Sequence, residues 1–316
     1  MNPIRHFGYL VQYGGVLFVL FMVQCLPLRL ALWLGEQVGR MAAVFTPRRR
    51  RLAVDNLKQA YPDMSDAEAE RIAWKVYQHF GRAAVEFAVG HRLIQPATFR
   101  KHVVCKHIER LEKVLAEGNG AVMITAHLGV WELFGMVLRY FGAPAHIVYR
   151  PMKNPYLDRL IRKQRERFGQ TMIDRTGALH PLLRVLRRKG YIGFLVDQHI
   201  RRTGIWVPFF GRPARTTPGP AALSLTTGVP IVLCYGCRLP GIYRFEFHLD
   251  EPIYPQPTGD RDEDIRRLTA EITLGIERFV RKYPEQWLWL HRRWHKPPPE
   301  VAAEGATHVE SSGESG

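Results

Sequence analysis

The stretch "AVMITAHLGVWE", residues 121–132, runs from an apolar segment through a histidine and a glycine to a carboxylate. Its first five residues are uncharged and mostly apolar, which is typical of a short buried strand. Gly129 permits a tight bend, and the residues from 131 onward carry the pattern of a helix. We therefore expect His127 to lie where a buried strand ends and a helix begins.

Short apolar runs alternate with helical patterns on both sides of this stretch. Strands are predicted at residues 121–125, 145–149, 171–173, 191–196, 230–237 and 243–250. Helices are predicted at residues 65–87, 108–117, 131–141, 155–169, 179–190, 219–228 and 262–282. Such alternation predicts an α/β fold with a mostly parallel sheet covered by helices on both faces. Ligands of these sheets bind beyond the carboxyl ends of the strands.

Polar side chains follow the predicted strands at this edge of the sheet. His127 comes after the strand at 121–125, Arg150 after the strand at 145–149, and Asp197 with Gln198 after the strand at 191–196. A loop rich in glycine, proline and arginine follows and reaches Arg215. A lone histidine is usually structural, and a lone arginine usually makes a surface ion pair. Their joint placement favours a site.

The five-residue spacing of His127 and Glu132 does not by itself indicate a catalytic pair. Three of the 13 histidines have an acidic residue five positions later. His107 lies within one predicted amphipathic helix, where its acid would point about 140° away. His295 is separated from its acid by three prolines, which hold the chain extended. Only His127 can lie outside a helix and still meet a carboxylate in that helix's first turn.

The absence of several motifs limits the chemistry. The sequence contains no GxSxG, GxxxxGK[ST], GxGxxG or HExxH motif, so covalent catalysis is not indicated. Cys234 and Cys237 form a lone CxxC in a predicted strand, where they would face opposite sides, so no metal site is expected. A histidine oriented by a carboxylate is suited to deprotonating a substrate hydroxyl.

The charge of the chain is strongly positive, with a formal net charge of +16. Residues 297–316 hold four glutamates and no lysine or arginine, so we expect a disordered acidic tail. The rest of the chain is correspondingly more basic. Such a field favours polyanions, phosphorylated molecules or an anionic membrane surface. Charge that serves solubility alone is the alternative explanation.

The N-terminal segment predicts a membrane anchor. Residues 7–28 form 22 uncharged residues, which is long enough to span a bilayer core, although a buried helix remains the alternative. After Pro27, an amphipathic segment predicts a second element lying along the interface. We assign residues 1–46 to the anchor. Arg40 and the arginines at 48–51 place the remainder on the cytoplasmic side.

Several stretches together resemble one family. "HLGVWE" resembles the HX4(D/E) motif of the glycerolipid acyltransferase superfamily. "YRPMKNP", "DQHIRRTGIWVPFFGRPARTTPG" and "TGVPIVLCYGCR" resemble the blocks that follow it in lipid A biosynthesis acyltransferases, the lauroyl- and myristoyltransferase branch. "RRRRLAVDNLKQAYP" and "YPEQWLWLHRRW" resemble two more of its segments. The motif alone is weak, but the ordered set, spanning about residues 5–296, is specific.

The resemblance implies a bacterial inner-membrane enzyme with its catalytic domain, residues 47–296, on the cytoplasmic side. It would move an acyl chain from acyl carrier protein, or from coenzyme A, to a hydroxyl of a glycolipid, without a cofactor, a metal or a nucleic-acid partner. His127 would be the base and Glu132 its partner, with Asp197 competing for that role. The residues assigned to substrate binding are Arg150, Asp197, Gln198 and Arg215.

Two alternatives remain at this point. A membrane-tethered protein that binds nucleic acid or anionic lipid without catalysis would explain the charge and the anchor. It would not explain polar groups at successive strand ends, and it would keep its function in a His127→Ala variant. A metallohydrolase is the third candidate, and it would be sensitive to chelators.

Overall fold

The structure, a computed structural model, describes residues 3–299. A seven-stranded sheet of order β1-β9-β8-β2-β5-β3-β4 forms its centre. The strands are β1 (Val103–Lys106), β2 (Ala121–Thr125), β3 (Ala145–Tyr149), β4 (Thr171–Asp174), β5 (Tyr191–Leu195), β8 (Ile231–Arg238) and β9 (Phe245–Leu249). All neighbouring pairs of this sheet are parallel except β8 and β9. The prediction of a mostly parallel sheet is confirmed.

Helices surround the sheet. They are α1 (Pro3–Cys25), α2 (Leu28–Phe45), α3 (Pro47–Ala60), α4 (Asp66–Leu93), α5 (Phe99–His102), α6 (Ile108–Glu117), α7 (Phe134–Tyr140), α8 (Pro155–Arg167), α9 (Leu179–Arg187), α10 (Gly219–Thr227) and α11 (Arg261–Lys282). Alternate residues of β2 enter two different cores, Val122 and Ile124 on one face and Met123 on the other. The sheet is therefore buried on both faces, as continuous apolar strands require.

Two strand features were not predicted. β1 is only four residues long, and it ends at a lysine directly before His107, which adopts a left-handed φ of 58° at the start of α6. The strands β6 (Ile205–Phe209) and β7 (Arg212–Thr216) form a separate antiparallel hairpin. Both of its strands contain a proline, and proline weakens any strand prediction because it cannot donate to the ladder.

The two N-terminal helices differ in how they pack. Within α1, residues 4–25 are long and apolar enough to cross a membrane, and none of the most apolar window is buried. After the break at Pro27, α2 packs closely on α4 through glycines. A β-carbon on Gly39 would lie 2.1 Å from the carbonyl oxygen of Tyr77, so no larger residue fits at this crossing. Residues 300–316, where an acidic disordered tail is predicted, lie outside the described residues.

The register of the sheet positions the polar residues. Thr125, the last residue of β2, pairs with Leu195, the last residue of β5. His127 and Asp197 each follow two residues later, so parallel pairing brings them side by side. β3 neighbours β5, and Arg150 follows it directly.

Candidate active site

His127 and Asp197 form a close pair at the carboxyl edge of the sheet. Nδ1 of His127 lies 2.9 Å from Oδ1 of Asp197, and the backbone N–H of His127 donates to Oδ2 at 2.9 Å. The same carboxylate thus fixes both the ring and the main chain of the histidine. Because an ionised carboxylate only accepts hydrogen bonds, the proton lies on Nδ1 and the lone pair on Nε2.

The carboxylate of Asp197 is fully enclosed. Trp287 donates its indole N–H to Oδ2 at 2.9 Å, and 1 % of the aspartate side chain is exposed. Burial alone would raise the pKa of Asp197, but the charge of His127 and the donated hydrogen bonds lower it below its ordinary value. Asp197 is therefore a buried, ionised carboxylate that accepts hydrogen bonds from His127 and Trp287.

His127 is tuned as a base by this environment. Burial alone would lower the pKa of its imidazole, but the charge and hydrogen bond of Asp197, with a smaller contribution from Glu132, raise it above the ordinary value. The side chain remains 23 % exposed and lines a cavity. A stronger base at the wall of a cavity can accept a proton from a bound hydroxyl.

The turn after His127 is held from several sides. Gly129 has a φ of 60°, and a β-carbon there would lie 1.9 Å from the carbonyl oxygen of Gly236, so only glycine fits. Its N–H donates to the carbonyl of Gln286 at 2.8 Å. The ring of His79, which is neutral because burial and Arg238 lower its pKa, donates from Nε2 to the carbonyl of Gly129 at 3.0 Å. The predicted tight bend is therefore present and rigidly supported.

Among residues 3–299, Glu132 makes no hydrogen bond to His127, which corrects the expectation that it is the histidine's hydrogen-bond partner. Its two carboxylate oxygens accept from Nε and Nη2 of Arg165 at 2.9 and 2.6 Å. A 3-10 turn at Trp131–Leu133 follows Gly129, and it directs Glu132 toward α8 instead of back toward the ring. Glu132 and Arg165 both line the cavity.

The remaining predicted residues separate into two groups. Gln198 lies with its amide nitrogen 3.4 Å from Nε2 of His127, and both Gln198 and Arg150 line the cavity. Arg215 does not line it. Its guanidinium donates to the carbonyls of Gly204, Arg201 and Arg202 at 2.9, 2.7 and 3.2 Å. The structure therefore gives Arg215 a role in shaping the loop, because three of its five N–H donors hold loop carbonyls.

The cavity extends from these polar groups into the fold, with a volume of about 600 Å³. Met123, Gly193 and Ile147 occupy one register row of three adjacent strands, deeper in the sheet than His127. Phe134 and Leu138 of α7 form the facing wall. The cavity thus combines polar groups at the strand ends with an apolar interior, as is typical of small-molecule sites.

The sequence alone gives no role to three residues that support the site. Trp287 lies in the "YPEQWLWLHRRW" segment, which resembles a segment of the family but does not indicate a role for any single residue. Leu288 in the same segment donates its N–H to the carbonyl of His127 at 3.1 Å. Arg165 lies in α8, which has many charged residues and no buried residue. The local sequence pattern therefore does not distinguish Arg165 from the other arginines of this helix.

Comparison with known proteins decides the family. The profile described as bacterial lipid A biosynthesis acyltransferase matches residues 3–296. This chain belongs to that family. It is an acyltransferase of lipid A biosynthesis, and its substrates are an acyl donor and a lipid acceptor.

Named relatives of this acyltransferase differ in the acyl group they carry. A lipid A biosynthesis acyltransferase of Haemophilus influenzae is 28 % identical over 88 % of this chain and 87 % of the relative. The Escherichia coli palmitoleoyltransferase is 27 % identical over 89 % and 90 % of the two chains. The Escherichia coli lauroyltransferase is 27 % identical over 90 % and 91 %. Overall identity therefore does not favour one chain length.

A more distant likeness exists among solved structures. The 1-acyl-sn-glycerophosphate acyltransferase of Thermotoga maritima matches with a TM-score of 0.40 and 15 % identity, over 82 % of this acyltransferase and 98 % of that chain.

Proposed function

We propose that this protein transfers a fatty acyl chain from acyl carrier protein, or from coenzyme A, to a hydroxyl of a lipid A precursor. His127 acts as the general base, and no covalent acyl-enzyme forms. The observation that supports this most strongly is the His127–Asp197 pair at the entrance of an apolar cavity. Membership of the family supports acyl transfer as the reaction, and the geometry of the pair supports His127 and Asp197 as the residues that carry it out.

The proposed reaction proceeds in one displacement. Nε2 of His127 takes the proton of the acceptor hydroxyl while that oxygen attacks the thioester carbonyl. Asp197 stabilises the imidazolium that forms, because its charge is held in contact with Nδ1–H. The carbon–sulfur bond then breaks, and the thiolate receives the proton from His127. Ester and free thiol are the products, and the histidine returns to its starting state.

Two arginines are placed to stabilise the negative oxygen of the intermediate. Arg165 uses Nε and Nη2 to hold Glu132, so we assign Glu132 the role of positioning this guanidinium. Arg150 is exposed at the rim and makes no ion pair among residues 3–299. Cationic donors that are fixed before the charge develops are worth several kcal/mol in such reactions, about 2.7–4 for one oxyanion donor.

The apolar part of the cavity is the proposed site of the acyl chain. Its walls are formed by the sheet and α7, and the side chain of Ile147 packs directly over Gly193, since a β-carbon there would lie 2.4 Å from that isoleucine's Cδ1. Burying a hydrocarbon chain there is favourable by about 0.8 kcal/mol per methylene. The thioester carbonyl would then lie near the polar groups at the strand ends.

A direct assay tests this function. The purified full-length protein is incubated with acyl–acyl carrier protein and a lipid A precursor, and the lipids are analysed by mass spectrometry. We expect the precursor to gain the mass of one acyl group, with release of free thiol. Binding of the lipid without any such gain, with either donor, would instead support the membrane-tethered binder.

The pH dependence of transfer should report the tuned histidine. The base must be neutral, and its pKa is raised in the folded protein. The value of kcat/KM should therefore fall with decreasing pH, through an apparent pKa above the ordinary histidine value, and level off at higher pH. A profile in which this limb lies below the ordinary histidine value would contradict the assignment of His127 and Asp197 as a coupled pair.

We also propose that α1 and the outer face of α2 attach the enzyme to the inner membrane, with the catalytic domain on the cytoplasmic side. α2 exposes a row of large apolar side chains, namely Leu30, Trp33, Leu34, Val38, Met41, Val44 and Phe45. Arginines border this surface at Arg29, Arg40, Arg48 and Arg51, where they can meet anionic headgroups. An apolar face bordered by arginines is the pattern of an interfacial helix.

Removal of residues 1–25 should separate the two contributions to membrane binding. We expect the full chain to need detergent for extraction. The truncated protein should sediment with anionic vesicles at low salt and be released by high salt, because charge attraction is screened while apolar insertion is not. Neutral vesicles are the control and should bind it weakly. A truncated protein that stays soluble with anionic vesicles at low salt would refute the contribution of α2 and its arginines.

A further inference from the structure

A group of histidine and arginine side chains, here called the cationic cluster because its two arginines are charged, lies beside the His127–Asp197 pair. It consists of His199, His291, His295, Arg201 and Arg292. The backbone N–H of His199 donates to Nε2 of His291 at 3.1 Å, and the rings of His199 and His295 lie 3.9 Å apart between centroids. The cluster thus joins the loop after β5 to the C-terminal segment.

The charge of Asp197 acts on His291, but the two arginines of the cluster have no carboxylate partner among residues 3–299. Arg201 and Arg292 are exposed and make no ion pair among residues 3–299. Burial, together with the positive neighbours His295 and Arg293, lowers the pKa of His199 to about 4. Burial and the charges of Arg292 and Arg201 lower the pKa of His295 as well. The imidazoles of His199 and His295 are therefore favoured in the neutral form, and the arginines carry the positive charge of the cluster.

Two buried polar atoms at the cluster lack a partner among the described residues. They are Nδ1 of His199 and Nε of Arg293. Arg293 is 1 % exposed, and it donates to the carbonyl of Arg215 and the hydroxyl of Thr216 at 2.9 and 2.6 Å, but to no carboxylate. A buried guanidinium that is hydrogen-bonded to no carboxylate is costly to desolvate, and only the charge of Asp197 opposes the lowering of its pKa among the causes for this group.

The position of the cluster connects it to the reaction. His199 follows Gln198, which touches the ring of His127, and Ile200 lines the cavity. The charges of both His127 and Asp197 act on the pKa of His291. A molecule that is bound through an anion at the cluster could thus also reach His127.

We propose that the cationic cluster is a phosphate-binding subsite, which holds a phosphate group of a substrate while another part of that substrate lies at His127. Guanidinium groups and imidazole N–H donors match phosphate oxygens in number and geometry. Two substrates can carry such a group: a phosphorylated glycolipid acceptor, and a donor attached through a phosphopantetheine. The inference rests on the proposed acyl transfer for the identity of those substrates.

The test measures binding without turnover. The full-length protein in detergent is titrated separately with a phosphorylated diglucosamine lipid, with the same lipid after removal of its phosphates, and with coenzyme A. The Arg201→Ala/Arg292→Ala variant is compared with wild type. The matched control is Arg188→Ala/Arg212→Ala, which also removes two exposed arginines that make no ion pair among residues 3–299. A His199→Gln variant tests the imidazole of His199, whose Nδ1 atom is buried.

We expect the Arg201→Ala/Arg292→Ala variant to raise the Kd of one phosphate-bearing probe about tenfold, the scale of a lost charged hydrogen bond. The control should change it less than threefold or so, and the dephosphorylated lipid should bind both variants equally. A rise for the phosphorylated lipid assigns the subsite to the acceptor, and a rise for coenzyme A assigns it to the donor. If both probes bind the variant as they bind the control, the proposal is overturned. Intact binding without any acyl transfer by wild type would refute the proposed function and leave the subsite standing.

Discussion

The His127→Ala variant is expected to lose acyl transfer by about 10²–10⁴-fold, the usual worth of a general base. Without the imidazole, Asp197 keeps the indole N–H of Trp287 as a side-chain partner, and that group is a donor and cannot accept the hydroxyl proton. The histidine is partly exposed, and its backbone N–H can still donate to Asp197, so the fold should survive. Initial rates with purified enzyme, beside its thermal unfolding midpoint, provide the measurement.

His107→Ala is the matched control for this variant. His107 also precedes an acidic residue by five positions, but it lies at the start of α6 and contacts Glu109 at 3.2 Å. Its loss should leave the rate within a few-fold. Wild-type transfer by His127→Ala, or equal inactivation by His107→Ala, would show that His127 is not the base.

Replacement of Asp197 by asparagine should be about as damaging, roughly 10²–10⁴-fold in kcat, by analogy with the buried aspartate of serine proteases. Oδ2 accepts from both the His127 N–H and the Trp287 indole. The single oxygen of an asparagine would therefore occupy that position, and its NH2 group would face Nδ1. Donation to Nδ1 places the ring proton on Nε2, where it blocks base catalysis.

Glu132→Gln is the companion to Asp197→Asn, because the sequence alone left the two carboxylates as competitors. Glu132 holds Arg165 and not His127, so its amide variant should cost only about tenfold, the scale of one charged hydrogen bond. The acid limb of the pH profile should move only slightly to lower pH for Glu132→Gln and further for Asp197→Asn, because the contribution of Glu132 to the raised pKa of His127 is the smaller one. The opposite ranking of the two variants would return the orienting role to Glu132.

The periodicity of the sequence was sufficient for the main elements. Residues 121–125 and 145–149 were predicted as strands and are β2 and β3 without change. Strand pattern, turn glycines and helix caps act over a few residues, so one sequence contains them. The bend at Gly129 belongs to the same class, because its positive φ is a local demand. The family was likewise readable from short blocks in order.

The partners of the site residues were decided only by the tertiary structure. Asp197 lies 70 positions from His127, and only the pairing of β2 with β5 brings them together. Glu132 is five positions away and was the natural local candidate, but the turn that precedes it sends its carboxylate to Arg165. Arg215 is expected from the sequence to bind substrate, but in the structure its guanidinium donates hydrogen bonds to carbonyls of its own loop. Strand order and side-chain direction depend on contacts between distant segments, and no local pattern records them.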